Sequence, residues 1–212
     1  MKNFNYYNST WVVVIIVCLT SAIHFIRETM FDLFGWHWNM GTGAVVLFFF
    51  FLYQKYIWSR FPIPSIIDLP NLKGGYYGKL VSSNKILGTD INIQKDCLFE
   101  IHQQGNEIII VGFYADENAL TATSRSESHS YVVASDELHQ IKFIYNYTNS
   151  PLIEKDMYGY PLNKHEGTST LTWSKINSES INIEYYNKER NSMGRIDLIK
   201  ISETYQNKFY RP

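Results

Sequence analysis

The sequence predicts a membrane-anchored all-β protein, in which an N-terminal transmembrane hairpin of two helices precedes a small up-and-down antiparallel β-barrel of about eight strands. Three observations lead to this prediction. Two apolar runs lie within the first sixty residues, a proline-rich stretch follows them, and the remaining chain alternates apolar with polar residues between turn sequences. The changes in composition divide the chain into a hairpin (1–60), a linker (61–71), a barrel (72–202) and a C-terminal tail (203–212).

The two apolar runs are predicted to form transmembrane helices at about residues 8–27 and 41–58. A bilayer core of roughly 30 Å requires about 20 mostly apolar residues in a helix. Four consecutive phenylalanines at 48–51 suit a helix that is surrounded by lipid on every side. Four of the five tryptophans lie at the ends of the two runs, where aromatic belts form: Trp11, Trp36, Trp38 and Trp58. A cleaved signal peptide is the alternative for the first run, but it leaves the second unexplained.

The charges that flank the two runs predict the orientation of the hairpin. Lys2, Lys55 and Arg60 lie on one side, whereas Arg27 on the other side is accompanied by the acidic residue Glu28. Lysine and arginine are enriched on the cytoplasmic side of membrane helices. The sequence therefore predicts a multi-pass membrane protein whose two termini and barrel are cytoplasmic.

Eight short segments with an apolar–polar period of two form the predicted barrel. Turn sequences such as Gln104-Gly105-Asn106 separate them, and no helical pattern interrupts them. Closure into an up-and-down barrel is the simplest arrangement, because it removes exposed sheet edges. The predicted strands are 75–83, 90–103, 107–115, 119–128, 138–148, 168–174, 180–187 and 193–202.

The alternation also predicts which side chains face the inside of the barrel. The inward faces are Ile141, Phe143, Tyr145 and Tyr147 in the fifth strand, and Ile181, Ile183, Tyr185 and Asn187 in the seventh. The interior is thus expected to be apolar at one end and polar and aromatic at the other. An eight-stranded barrel has room for side chains or for one small ligand. Two interpretations therefore remain open, a ligand pocket or a packed core whose tyrosines reach solvent at the rim.

Composition and motifs argue against an enzyme and against a protein that binds DNA or RNA polymers. Lysine and arginine number 19 against 20 aspartate and glutamate, and this near-neutral balance lacks the basic face that a nucleic-acid backbone attracts. The sequence contains no phosphate-binding glycine loop, no nucleophile elbow and no metal-binding spacing of histidine and cysteine. We therefore expect a binding protein with no catalytic residues, no metal and no cofactor.

The order of these features is similar to that of a known family. Two N-terminal spans, a proline-rich connector and a single barrel resemble the two-transmembrane β-barrel effectors of bacterial CBASS antiphage systems. The resemblance covers nearly the whole chain, with departures at Ile183, where a glycine is expected, and at Arg190, which is displaced by one residue. The similar motifs are LKGGYYG at 72–78, IHQQ at 101–104, YNYTN at 145–149, HEGT at 165–168, IEYYN at 183–187 and GRI at 194–196.

The resemblance implies a function in defence against phage. In that family, a nucleotidyltransferase (CD-NTase) encoded beside the effector makes a cyclic oligonucleotide, here expected to be a cyclic dinucleotide. The barrel binds this messenger, the chains self-associate, and the helices disrupt the bacterial inner membrane, so that the cell dies or arrests. The implied partners are the messenger of a cognate CD-NTase, the lipid bilayer and other copies of the chain.

A cyclic dinucleotide has two bases and two phosphates, and these define the candidate site residues. Stacking of a base on an aromatic ring contributes about 1–3 kcal/mol, and a hydrogen bond to a charged group contributes about 1.5–3 kcal/mol. The candidates are Tyr76, Tyr145, Tyr147 and Tyr185 for stacking, Arg125 and Arg190 for phosphate, and Gln103, Thr123 and Asn187 for base edges.

Two other functions remain as alternatives. A membrane-anchored, lipocalin-like carrier or sensor of a small apolar ligand predicts a barrel interior that is apolar throughout. A purely structural anchor predicts an exposed apolar patch on the outside of the barrel, where a protein partner would bind.

Overall fold

The computed structural model describes residues 9–35, 41–57, 70–86, 88–104, 107–137, 140–155, 162–189, 191–202 and 204–212. The chain divides into two compact units, one helical and one containing the barrel. Most of the predicted linker lies outside the described residues, and so does the candidate phosphate ligand Arg190.

The helical unit contains two apolar helices. Helix α1 (Ser9–Phe34) is longer than predicted, and helix α2 (Thr42–Leu52) continues into a π-helical turn at Tyr53–Ile57. Helix α1 ends where Gly35 adopts a positive φ of 62° and donates its N–H to the Phe31 carbonyl, a common way to end a helix. Within α1, Val13–Phe34 has a mean hydropathy of 1.7 and is long enough to cross a bilayer. Helix α2 is shorter than such a span.

The barrel unit is a closed sheet of eight antiparallel strands, which confirms the predicted fold class. Each strand pairs with the next along the chain, and β1 pairs with β8 to close the sheet. The strands are β1 (Gly74–Lys85), β2 (Asn92–Gln104), β3 (Glu107–Ala115), β4 (Ser124–Glu137), β5 (Gln140–Pro151), β6 (His165–Ser174), β7 (Ser180–Asn187) and β8 (Ser192–Ser202).

Strand β4 differs most from its prediction. It begins at Ser124 rather than at residue 119, because residues 116–123 form a turn. In this turn the N–H of Ala119 donates to the Asp116 carbonyl, and Asn118 has a φ of 65°. Both the N–H and the hydroxyl of Thr123 donate to the Tyr114 carbonyl, at 2.7 and 3.1 Å. In β4 the buried positions are Ser124, Ser126 and Ser128, whereas Arg125 and Glu127 alternate with them on the opposite face.

The interior of the barrel changes from apolar to polar along its axis. We call the end where β1 and β5 finish the mouth, and the opposite end the floor. The strand register places two apolar rows near the floor, Ile141–Trp173–Ile181–Leu198 and Phe143–Leu171–Ile183–Ile196. The next row toward the mouth is Tyr145–Ser169–Tyr185–Gly194, followed by the pairs Tyr147–Gly167 and Asn187–Ser192. The predicted gradient from an apolar to a polar interior is therefore present.

The C-terminal residues 204–212, here called the strap, lie against the outside of β2 and β3. Phe209 is buried in a cluster on this outer face, so the chain end is not a free tail. Outward-facing side chains of the two strands, which the alternation alone would leave in solvent, are thus covered. The other buried members of the cluster are Leu98, Val111, Phe113 and Ala115.

Polar contacts hold the strap at two buried acidic residues of β2. Glu100 accepts hydrogen bonds from the N–H groups of Gln206 and Asn207, at 2.8 and 2.9 Å. Asp96 forms an ion pair with Arg211. The side chains of Asp96 and Glu100 are only 7% and 2% exposed, and a buried carboxylate is tolerated only with such partners.

We predict that Phe209→Ala lowers the free energy of unfolding of the barrel by about 3 kcal/mol, because it removes a buried ring from a packed cluster. Chemical denaturation of the full-length protein in detergent, followed by tryptophan fluorescence, measures the effect. The control is Met193→Ala, whose side chain is 60% exposed and which should change stability by less than about 0.5 kcal/mol. Equal effects of the two substitutions would contradict a packed strap.

Candidate ligand-binding site

A cavity of about 540 Å³ opens at the mouth of the barrel. This volume lies within the range of roughly 300–1,000 Å³ that is typical of small-molecule sites. All eight strands contribute to its wall. The lining residues are Leu80, Ser82, Asn84, Lys85, Ile93, Lys95, Tyr114, Ser124, Tyr147, Asn149, Leu162, His165, Tyr185, Asn187 and Ser192.

Two lining tyrosines each lie against a glycine of the neighbouring strand. Tyr147 pairs with Gly167, and Tyr185 pairs with Gly194. A Cβ atom at either glycine would be closer to the tyrosine ring than van der Waals contact allows. Only glycine therefore permits these ring positions, and the same arrangement occurs twice, on β5–β6 and on β7–β8. The two hairpins thus hold a pair of aromatic rings in fixed positions in the cavity wall.

Lys95 places a cation in the cavity wall. Its side chain is 12% exposed, and its ammonium lies 2.7 Å from Asp116 Oδ1 and 3.5 Å from Thr123 Oγ1. Lys85 supplies a second cation at the rim, where it is half exposed and pairs with Asp90 at 2.7 Å. No carboxylate belongs to the described residues that line the cavity. The wall therefore favours an anionic group, since a lysine ammonium carries three donors and can contact a ligand as well as its carboxylate partner.

Amide and imidazole groups add polar contacts opposite the lysines. His165 Nδ1 lies 2.8 Å from the Asn163 carbonyl and therefore carries the hydrogen, which leaves Nε2 as an acceptor for the Asn149 amide at 3.4 Å. In this arrangement the buried Oδ1 of Asn149 has no hydrogen-bond partner among the described residues. A ligand donor, such as an amino group on a base, can satisfy that oxygen.

Tyr114 supplies a neutral hydroxyl on β3. Its ring packs edge-on against Phe99, with centroids 5.8 Å apart, and its hydroxyl lies 3.1 Å from Ser126 Oγ. Burial raises the pKa of Tyr114 well above its ordinary value, and burial likewise raises the pKa of Cys97, deeper in the same wall. Both groups are therefore uncharged at neutral pH, and Lys95 and Lys85 determine the electrostatic character of the cavity.

The structure brings together several of the residues predicted from sequence. Tyr147, Tyr185 and Asn187 all line the cavity. Thr123 is not one of the lining residues, but its hydroxyl lies 3.5 Å from the Lys95 ammonium. Tyr145 is buried one row closer to the floor, directly below Tyr147 on β5. The ligand-binding role of each of these residues stays a prediction.

Three other predicted residues do not line the mouth cavity, and their ligand-binding role also stays a prediction. Gln103 and Tyr76 both bond to the backbone of Leu72 near the floor, at 2.7 and 2.9 Å. Arg125 is on the outside of the barrel, 2.9 Å from Glu127 and above the Phe113 ring. Ser124 and Ser126, rather than Arg125, take the inward positions of β4.

The lining residues that sequence reasoning missed include Lys95, Tyr114, Asn149 and His165. Lys95 shares the parity of Ile93, Cys97 and Phe99, so a cation on an otherwise inward-facing apolar series was the available signal. Tyr114 and Asn149 follow from parity in the same way. Only the folded barrel shows that they converge with His165, because they lie on four different strands.

These features define a class of protein, the small-molecule receptors whose ligand pocket lies at one end of a β-barrel. In this chain the barrel follows an apolar helix in sequence. Residues 67–200 match the family model described as "Cap15, cyclic dinucleotide receptor domain". The match covers more than half of the 212 residues, and the chain belongs to this family of CBASS effectors. The barrel is accordingly a cyclic dinucleotide receptor domain, with a binding rather than a catalytic role. A search of curated proteins found no match.

We predict that Gly167→Ala destabilises the barrel by about 1–3 kcal/mol, because the new Cβ displaces the Tyr147 ring. The double variant Gly167→Ala/Tyr147→Ala should lose less stability than the sum of the two single variants. Chemical denaturation of the four proteins gives this coupling free energy. Additive effects would mean that Gly167 does not position the tyrosine.

Proposed function

We propose that this protein is an antiphage effector whose barrel binds a cyclic dinucleotide in the mouth cavity, and which then self-associates and disrupts the bacterial inner membrane. The main supporting observation is the wall of the cavity, where two glycine-backed tyrosines accompany Lys95 in a chain of the cyclic dinucleotide receptor family. The outcome for the infected cell is death or growth arrest.

The chemistry of the wall suits the two halves of a cyclic dinucleotide. Tyr147 and Tyr185 each offer one aromatic face, so that each base has one ring on which to stack, at about 1–3 kcal/mol per base. Lys95 contacts a phosphate, at about 1.5–3 kcal/mol for a charged hydrogen bond. After the cost of association, two stacks and two such bonds are sufficient for roughly micromolar affinity or better.

Polar groups at the rim complete the proposed site. Asn187 and Asn149 contact base edges. Thr123 does not touch the ligand but helps to position the Lys95 ammonium. Arg190 belongs to the segment joining β7 to β8, whose ends at Asn187 and Ser192 both line the cavity. We retain Arg190 as a phosphate ligand on this sequence position alone. Lys95 replaces Arg125 as the principal phosphate contact.

The membrane arrangement is also a proposal. Helix α1 is one crossing, and α2 with its π-helical turn is a second, so that both termini and the barrel are cytoplasmic. The support for this orientation is the excess of Lys2, Lys55 and Arg60 on one side of the hairpin. The messenger comes from a cognate CD-NTase. Self-association of barrels gathers the attached helices, and clustered helices perturb the bilayer.

An apolar-ligand carrier fits the cavity less well. Its pocket would be apolar throughout, whereas Lys95, His165 and Asn187 place charged and polar groups in this wall. Burying such groups against an apolar ligand costs free energy, because they lose water without gaining a partner.

We predict that one member of a panel of cyclic di-AMP, cyclic di-GMP, cyclic di-UMP and cyclic GMP–AMP binds saturably to the full-length protein in lipid nanodiscs. Isothermal titration calorimetry measures the affinity. Tyr185→Ala and Lys95→Met should each weaken binding by about 10- to 100-fold, because each loses one stack or one charged contact.

Arg125→Ala is the matched control, because this arginine lies outside the barrel and should leave the affinity unchanged. If Arg125→Ala weakened binding while Lys95→Met did not, the ligand would bind at the outer face instead. Absence of binding for the whole panel would contradict the proposal.

We further predict that the cyclic dinucleotide that binds releases an encapsulated dye from liposomes containing the full-length protein. Release should increase steeply with protein density, since self-association is required. Liposomes carrying Lys95→Met are the control and should stay intact at the same ligand concentration. Binding without dye release would keep the receptor function and remove the membrane-disrupting one.

A further inference from the structure

One turn of the barrel is held from both sides of the wall. We infer that the turn at residues 116–118 couples occupancy of the mouth cavity to the strap, so that ligand binding loosens the strap on the outside of the barrel. This inference rests on the proposed binding of a cyclic dinucleotide in the cavity. It adds a regulatory path from that site to the outer surface.

The inner contact is the ion pair between Lys95 and Asp116. The two groups are 2.7 Å apart, and their side chains are only 12% and 8% exposed. Lys95 lies on the cavity side of β2, and Asp116 directly follows the neighbouring strand β3, so the ion pair fixes the first residue of the turn. The buried carboxylate of Asp116 thus links the cavity to this turn.

The outer contact is made by Arg211 of the strap. Its guanidinium bonds Asn118 Oδ1 at 3.3 Å, two residues after Asp116, and also pairs with Asp96. Asp96 is the neighbour of Lys95 on β2, and its side chain points to the opposite side of the sheet. Adjacent residues of one strand therefore hold the same turn, Lys95 directly from inside and Asp96 through Arg211 from outside.

A phosphate that binds Lys95 acts on this turn by electrostatics. The ammonium then has two anionic partners, so its attraction to Asp116 is shared. The phosphate also repels the Asp116 carboxylate across a short distance in a partly buried site, where screening by solvent is weak. Both effects move Asp116 away from the cavity. Movement of the turn displaces Asn118 and weakens its hydrogen bond to Arg211, one of the contacts that fix the strap.

Loosening of the strap changes the outer surface of the barrel. The strap covers Leu98, Val111 and Phe113, whose side chains face away from the cavity. Release of Phe209 exposes these apolar side chains to water. Ligand binding inside the barrel thereby alters its outer surface, where another copy of the chain can bind.

Hydrogen exchange of the strap tests the inference. The N–H groups of Gln206 and Asn207 bond to Glu100, so their exchange reports whether the strap is in place. The full-length protein in nanodiscs is measured by mass spectrometry with and without the panel member that binds in calorimetry. We expect saturating ligand to accelerate exchange in the strap by about 5- to 150-fold, the usual range of allosteric coupling.

Two variants each disrupt one of the two contacts that hold the turn. Arg211→Met should give fast exchange of the strap without ligand, with little further change when ligand is added. Asp116→Asn should also accelerate exchange without ligand, because it weakens the inner ion pair. Arg195→Met is the matched control, since this exposed arginine pairs with Asp197 on β8 and should behave like the wild type.

The outcomes separate this inference from the function on which it rests. If no panel member binds, the proposed function fails and the inference fails with it. If a ligand binds and the strap exchanges at an unchanged or lower rate, the coupling is wrong and the receptor function stands. Unchanged exchange in Arg211→Met without ligand would also overturn the inference.

Discussion

Pairing of β1 with β8 is the constraint on which the rest of the structure depends. It closes the sheet, so that no strand has an unpaired edge and the interior is limited to what eight strands enclose. Gly78 allows this closure, because a side chain there would overlap the β8 backbone at Asp197. Apolar side chains occupy the described rows near the floor of this narrow barrel. The mouth cavity opens at the other end, where many of the lining side chains are polar.

The mouth cavity follows from a local arrangement that the barrel repeats. In each of two hairpins, a tyrosine lies against a glycine on the next strand, and that glycine leaves room for the ring. Each ring lies directly against the glycine of the neighbouring strand, which restricts its movement on that side. Rigid aromatic faces lose little conformational entropy on binding, which favours stacking of a flat base. Lys95 adds charge at the same level. A receptor for an anionic, base-containing ligand therefore needs few residues beyond those that close the barrel.

On the outside of the barrel, the strap covers outward-facing side chains that would otherwise contact solvent. Asp96 and Glu100 alternate with the inward-facing Lys95 and Cys97, yet they are buried because residues 204–212 lie across them. A buried carboxylate without a partner would cost several kcal/mol, so the strap and the barrel depend on each other. One polar contact of the strap, between Arg211 and Asn118, is made to the same turn that contacts Lys95 in the cavity wall.

The sequence by itself determined the apolar helix, the eight strands and the inward faces of β5 and β7. Hydrophobic periodicity depends only on residues that are close together in the chain, so it can be read directly from the sequence. It also determined the family, through motifs spread along the chain, and three residues of the cavity wall: Tyr147, Tyr185 and Asn187. Only the tertiary structure decided where Arg125 and Gln103 lie. Ser124 and Ser126, rather than Arg125, take the inward positions of β4, and Gln103 Oε1 accepts a hydrogen bond from the Leu72 N–H near the floor. The pairing of Lys95 with Asp116, the glycine-backed tyrosines and the strap over Glu100 also required the fold. Each joins residues on two different strands, in a strand and a turn, or in a strand and the strap, and the register in which these segments lie side by side brings them into contact.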